Sequence, residues 1–441
     1  MHPYSERRAR LIERMGSGVA VIATAPEHLR NRDTHYGYRH DSYFYYLTGF
    51  SEPEAVLVLI AGDAPRSILF CREKNEEREI WDGWRYGPDA AREQFGFDEA
   101  HCYAELDAKL AELIANQPRL HYVIGEDAAW DSRMMAALNA VRAQSRAGKF
   151  APSELLDIRQ PLDDMRLIKD AHELDIMRRA AEISARAHRR AMQATRPGAF
   201  EYEIEAELLY EFRRSGSEAP AYGSIVAGGA NACVLHYVSN NAPLRDGDLL
   251  LIDAGCELGG YASDVTRAWP VNGRYSAAQR DLYQLVLAAQ DAAFAAVRPG
   301  ARFIDYHDAA VRVLAQGFVD LNMLQGSADS VIEQGTYKRF YMHRTGHWLG
   351  MDVHDAGEYR PRPGSAGAGE QDWRTLEAGM VLTVEPGCYV RPADDVPEAF
   401  WNIGIRIEDD VVVTADGCDI YTSATPKAIA EVEAVMRETR G

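Results

Sequence analysis

The sequence predicts an α/β N-terminal domain over residues 1–165, followed by an α+β domain over residues 166–441 that carries an internal duplication. Three observations predict this. Apolar runs of strand length alternate with helical stretches in the first part, that alternation lapses before residue 165, and segments of the second part recur in order. With 441 residues, 46% hydrophobic and 26% charged, the chain has a folded globular composition and enough length for two or three cores.

The opening segment MHPYSERRARLIERM is Arg-rich, but Glu6 and Glu13 make it an amphipathic surface helix rather than a transit peptide. Strands are expected at Val19 to Ala23, Ala55 to Ile60, Ser67 to Cys71 and Leu120 to Ile124, and helices at Glu105 to Ala115 and Ser132 to Arg146. From Gly148 to Met165 the chain has two prolines and no sustained apolar period, as a surface connection would. Ile176, Ala180, Ile183, Ala187 and Ala191 then form a helical stripe that Pro197 ends. RPGAF at 196–200 follows this helix, and RPGARF at 298–303 follows another, whose stripe is Leu282, Leu285, Val286, Ala289, Ala293 and Ala296. LRDGDLLLIDAG (244–255) aligns without gaps to LEAGMVLTVEPG (376–387), so Asp253 and Glu385 are equivalent. Gly260 and Asp264 are spaced like Gly404 and Glu408, which matches a second pair of acids.

Lys plus Arg total 48 against 67 Asp plus Glu, a net charge of −19 that repels polyanions, so neither nucleic acid nor an anionic membrane is an expected partner. The six cysteines are scattered without a CxxC pair and read as reduced thiols of a cytoplasmic protein. Apolar runs such as Ala55 to Ala61 fall short of the ~18–20 residues that span a bilayer.

Any one of the four acids, taken alone, reads as a turn cap or a solvated strand end. Together they do not, because Asp253 follows Leu249 to Ile252 and Glu385 follows Met380 to Val384, runs that predict burial. Buried unpaired carboxylates cost several kcal/mol each, so they call for cations. If the halves pack about a pseudo-twofold axis the acids converge, and two divalent metals balance four charges. The Gly259–Gly260 turn supports this by folding the Asp264 strand back toward Asp253. A nitrogen ligand is available in MHRTGHWLGMDVHD, which holds His343, His347 and His354. Arg344 stands where a zincin has its glutamate, and Gly346 weakens a helix, so HExxH chemistry is excluded. No P-loop, GxSxG elbow or dinucleotide fingerprint is present, and GSAGAG (364–369) follows prolines rather than a strand. Arg406 and Glu408, two apart in an expected strand, share a face on which the guanidinium steadies the carboxylate. Tyr222 and Tyr389 line the site or belong to the core, and His236 is a substrate ligand or a buried structural residue.

The second domain resembles the pita-bread metallopeptidases, among them methionine aminopeptidase and prolidase, and within that group it is most similar to aminopeptidase P. The carriers are IDAGCELGGYASDVTR (252–267), MHRTGHWLGMDVHD (342–355), LTVEPGCYV (382–390) and GIRIEDDVVV (404–413), with RHDSYFYYLTGFSEPEAVLVL (39–59) in the first domain. The resemblance implies a pita-bread fold and a metal site formed by Asp253, Asp264, His347, Glu385 and Glu408. Four carboxylates and one imidazole are a hard set that favours Mn²⁺, Co²⁺ or Mg²⁺, and the resemblance selects manganese. It implies hydrolysis by a hydroxide bridging two metals, with Glu385 handling its proton, His236 and His354 on the substrate carbonyl and oxyanion, and His343 orienting substrate nearby. It further implies that peptides with proline second are the substrates. The first domain would restrict them to free amino ends, in a homodimer or homotetramer where Trp84 reaches a neighbouring site. Gly346, where serine is frequent in aminopeptidase P, Arg344, where glycine is commoner, and the long segment 360–373 are departures that bear on the peptide lengths that fit. Prolidase, acting on dipeptides, is the nearest alternative, and a catalytically silent binding protein is another.

Overall fold

Strand runs such as Val56–Ala61 are apolar at every position rather than at alternate ones, a pattern that belongs to strands covered on both faces. In the computed structural model, which describes residues 3–362 and 373–438, those runs form the centre of a six-stranded sheet. Its order is Glu99–Cys102, Arg66–Cys71, Val56–Ala61, Gly18–Ala23, Arg119–His121, Glu154–Leu156. The central pairs are antiparallel, and the outer pairs on each side are parallel. Val19, Val21, Val56, Val58, Ile68 and Phe70 share the face covered by Leu106–Ile114 and Ala128–Arg142. Helix Pro3–Met15 buries Arg7 and Arg8 beside its apolar side chains, and their guanidiniums donate to the carbonyls of Tyr46 and Leu47 at the end of helix Ser42–Thr48. None of the six cysteines is disulfide-bonded, and no helix among the described residues is long and apolar enough to cross a membrane.

The chain divides into two compact units after Asp164. The expected surface connection is more ordered than its composition indicates. It contains the edge strand Glu154–Leu156 and helix Arg159–Leu167. A three-residue exposed strand has no period to read, and Pro161 falls in the first helical turn, where a missing N–H costs nothing.

In the second unit the duplication is visible in backbone hydrogen bonds. Helices Ala171–Ala194 and Glu201–Arg214 correspond to Ala277–Ala296 and Asp305–Asp320. Between the helices of each pair, Gly198 N–H donates to the Leu244 carbonyl and Gly300 N–H to the Leu376 carbonyl, both at 2.9 Å. Both glycines have φ above +80°, which a side chain would strain. Strand order repeats as well. Leu249–Asp253 pairs with Thr266–Pro270 around the inner pair Cys256–Leu258 and Tyr261–Ala262. Val381–Val384 pairs with Asp409–Val413 around Gly387–Val390 and Ile403–Arg406. Gly259 and Gly260, at φ +57° and +77°, make the tight turn that brings Asp264 back. The glycine-rich segment 364–369 lies outside the described residues.

Candidate metal centre

Each acid sits where an apolar strand stops. Asp253 ends Leu249–Asp253, Asp264 lies two residues before Thr266–Pro270, Glu385 follows Val381–Val384, and Glu408 occupies the gap before Asp409–Val413. His347 reaches them because residues 345–349 run extended beside Val381–Val384. Glu385 N–H donates to the Thr345 carbonyl, Thr383 N–H to that of His347, and Leu349 N–H to that of Val381. Gly346 is required at this ladder, since a Cβ there would lie 2.0 Å from the Thr383 carbonyl oxygen and 2.9 Å from the Tyr306 hydroxyl. One ligand atom each from Asp264, His347 and Glu408 lie within 4.8 Å of one another. His347 Nε2 is 3.4 Å from Asp264 Oδ2 and 3.7 Å from Glu385 Oε1.

Other side chains fix these groups in place. The Tyr222 hydroxyl lies between Asp253 Oδ1 at 2.6 Å and Asp264 Oδ1 at 2.5 Å, and it can donate to one at a time. Arg406 Nη2 donates to Asp253 Oδ2 at 2.6 Å. Arg406 thus holds a carboxylate of the expected metal set, but that of Asp253 rather than of its strand neighbour Glu408. Strand Ile403–Arg406 ends at the arginine, Glu408 lies beyond it, and the carboxylate bound is Asp253. Glu408 instead accepts from the Thr266 hydroxyl. Tyr389 is 1% exposed and absent from the cavity wall, which corrects its placement against substrate; its hydroxyl bridges His343 Nε2 at 2.8 Å and Arg406 Nη1 at 2.9 Å. His236, His343, His354 and Tyr222 line the same cavity of about 600 Å³ as the four acids. The His354 and His347 rings meet edge to face at 4.2 Å. Sequence reasoning missed Thr266, Thr383 and the buried ion pairs of Asp355 with Arg166 at 2.5 Å and Lys169 at 2.8 Å. Neighbour threonines carry no sequence signal, and residues more than 180 apart meet only in the fold.

Electrostatics test whether these residues suit a cation. Burial, with neighbouring carboxylates, pushes Glu408 well above the usual range and Glu385 up to about 7. Burial also raises Asp253, against the opposing charge of Arg406. For His347 burial opposes the charge, but the hydrogen bond to Asp264 and the charge of Glu385 raise it to about 9. Four desolvated carboxylates share Arg406 and an imidazole, an excess of buried negative charge with hard oxygen donors. That donor set fits divalent metal.

The family model described as metallopeptidase family M24 matches residues 175–415, and that for the aminopeptidase P N-terminal domain matches residues 4–122. The chain is 44% identical over 440 residues to the Xaa-Pro aminopeptidase of Escherichia coli (strain K12), covering 99% of this chain and 98% of that protein. It is 34% identical to human Xaa-Pro aminopeptidase 3, covering 95% of this chain and 81% of that one. The solved Pseudomonas aeruginosa aminopeptidase PepP superposes at a TM-score of 0.95 with 50% identity, covering 98% of this chain and 97% of that chain. An Escherichia coli aminopeptidase P solved in complex with substrate superposes at 0.94 with 44% identity and the same coverage. A duplicated fold, acids at its strand ends and these matches over nearly the whole length together show that the chain belongs to the aminopeptidase P group of metallopeptidase family M24.

Proposed function

We propose that the protein is an Xaa-Pro aminopeptidase that releases the N-terminal residue from peptides with proline in second position, using two divalent metal ions, manganese by preference. The observation that carries this is the buried and half-buried set Asp253, Asp264, His347, Glu385 and Glu408 lining one cavity, in a chain 44% identical to an Xaa-Pro aminopeptidase along its length. These five residues would hold the ions, which when bound supply Lewis acidity and lower the pKa of water toward neutrality. Glu385, facing His347 on the cavity wall, would take the proton from the attacking water and pass it to the departing proline nitrogen. His236 and His354, on the cavity wall, donate to the carbonyl oxygen as charge develops on it. Tyr389 holds His343 and Arg406 in register, and Arg406 and Tyr222 orient Asp253. All of this chemistry falls within residues 166–441.

Six unpaired cysteines support a reducing cytoplasmic setting. Ile80, Trp81 and Trp84, 81%, 83% and 61% exposed, offer an apolar surface that supports assembly as a homodimer or homotetramer. The test compares metal-stripped with Mn²⁺-reloaded protein on Ala-Pro and Ala-Pro-Ala, following released alanine. Manganese-dependent release from the tripeptide is expected. Turnover of the dipeptide alone would move the assignment to prolidase, and no release despite bound metal would end the proline-specific reading.

A further inference from the structure

The cavity wall carries two guanidiniums in different circumstances. Arg406 is buried and bound to Asp253. Arg344 is exposed, and its guanidinium lies over the Trp373 ring at 4.7 Å from the centroid, where Arg360 also lies, at 4.3 Å. Among the described residues neither Arg344 nor Arg360 has a carboxylate partner. The indole is a fixed platform. Trp373 stacks on Phe303 at 6.1 Å and 21°, and Phe303 packs on Trp348 and Tyr359. The next residue is pinned, with Arg374 N–H donating to the Tyr359 carbonyl and Phe303 N–H to that of Arg374. Arg344 is held at its other end by its own backbone, whose carbonyl lies 2.7 Å from His343 Nδ1.

Two like charges on one ring repel, and the ring recovers only part of that cost. An anion shared between them would recover more. The cavity thus carries both signs of charge, the carboxylate cluster and, at Arg344, a guanidinium with no carboxylate partner among the described residues. A short peptide carries both as well, with a positive amino end and a negative carboxyl end. We propose that Arg344, presented on Trp373 beside Arg360, is a specificity-determining residue that binds a carboxylate carried by the peptide downstream of the scissile bond. The carboxylate is the C-terminal group of a short peptide or an Asp or Glu side chain. This rests on the Xaa-Pro aminopeptidase reading and names the substrate class of the same site. The contact is made in substrate and transition state alike, so it acts on KM more than on kcat.

The experiment measures kcat and KM of the Mn²⁺-loaded enzyme and its R344Q, R344K and R360Q variants on Ala-Pro-Ala, Ala-Pro-Ala-amide and Ala-Pro-Asp-amide. The enzyme should favour the free acid over the amide by about tenfold in kcat/KM, mainly through KM, as a charge-assisted hydrogen bond supplies. R344Q should bring that ratio close to one, R344K should restore part of it, and R360Q should lower it less. Recovery on Ala-Pro-Asp-amide identifies an acidic side chain as an equivalent source of the carboxylate, whereas preference for Ala-Pro-Ala alone identifies the chain terminus. Equal kcat/KM on all three peptides, or a loss in R344Q that is the same for all three, overturns the inference while turnover of the amide keeps the aminopeptidase reading. Absence of turnover on every peptide defeats that reading, and this one with it.

Discussion

At the residue scale, Glu385 sets burial against charge beside two histidines. Its backbone N–H is fixed by Thr345, its carboxyl faces His347 and His343, and burial drives it toward neutrality. Glu385→Gln keeps the shape and removes the proton carrier, so kcat on Ala-Pro-Ala should fall by about 10²- to 10⁴-fold. The melting temperature of the metal-free protein should not fall, because a buried acid has been replaced by a neutral amide. Steady-state kinetics beside calorimetry of the stripped protein separate the two effects, and a parallel loss of stability would assign Glu385 to structure. Gly346 shows what one position conceals. As a departure from the serine frequent in aminopeptidase P it is expected to bear on substrate length, yet the local backbone leaves no room for a side chain while Tyr306 and Thr383 stand as they do.

At the scale of elements, the segment bearing His347 and His354 is anchored by buried charge as well as by the apolar packing of Trp348 and Leu349. Asp355 is buried and accepts from Arg166, Lys169 and the Asp352 N–H, so the pairs join the start of the second unit to the segment that bears the histidines. Asp355→Ala leaves two buried cations without their shared anion and should cost about 3–5 kcal/mol, read by denaturant unfolding. An unchanged midpoint would mean that water reaches the pair. Helix Ala171–Ala194 contributes a titration. His188 is fully buried, with its Nδ1 against the Ser184 carbonyl, and burial lowers its pKa to about 4. Its folded pKa lies below the unfolded value of about 6.5, so the unfolded chain takes up the proton first. The stability from the neutral ring is complete above pH ~6.5 and is lost as pH falls toward about 4, by at most ~1.4 kcal/mol per pH unit. His188→Leu should flatten the melting temperature between those limits relative to the parent; superimposable pH profiles would refute the shift.

For the whole molecule, the acid cluster couples folding to metal. Four carboxylates buried around one guanidinium oppose folding until a cation enters, so chelation should lower the melting temperature and Mn²⁺ should restore it. The gain is about 2.7 kcal/mol when the free ion is at 100 times its Kd. Calorimetry that shows no change on chelation would remove the cluster as an ion site. The sequence by itself determined the class of the fold, the duplication and the matched acids, because these rest on local periodicity and on repeats that any reader of the chain can align. Asp253 with Glu385, and Asp264 with Glu408, were legible as pairs before any contact between them was known. The edge strand Glu154–Leu156 was not legible, since three exposed residues have no period. Nor was the choice of Arg406 for Asp253, the bridging of His343 and Arg406 by Tyr389, or the shared ring under Arg344 and Arg360. Those were decided by tertiary structure alone. Periodicity states which face a residue takes, while the partner it meets depends on where distant strands end, and side-chain reach of a few ångströms decides between neighbours that the sequence cannot rank.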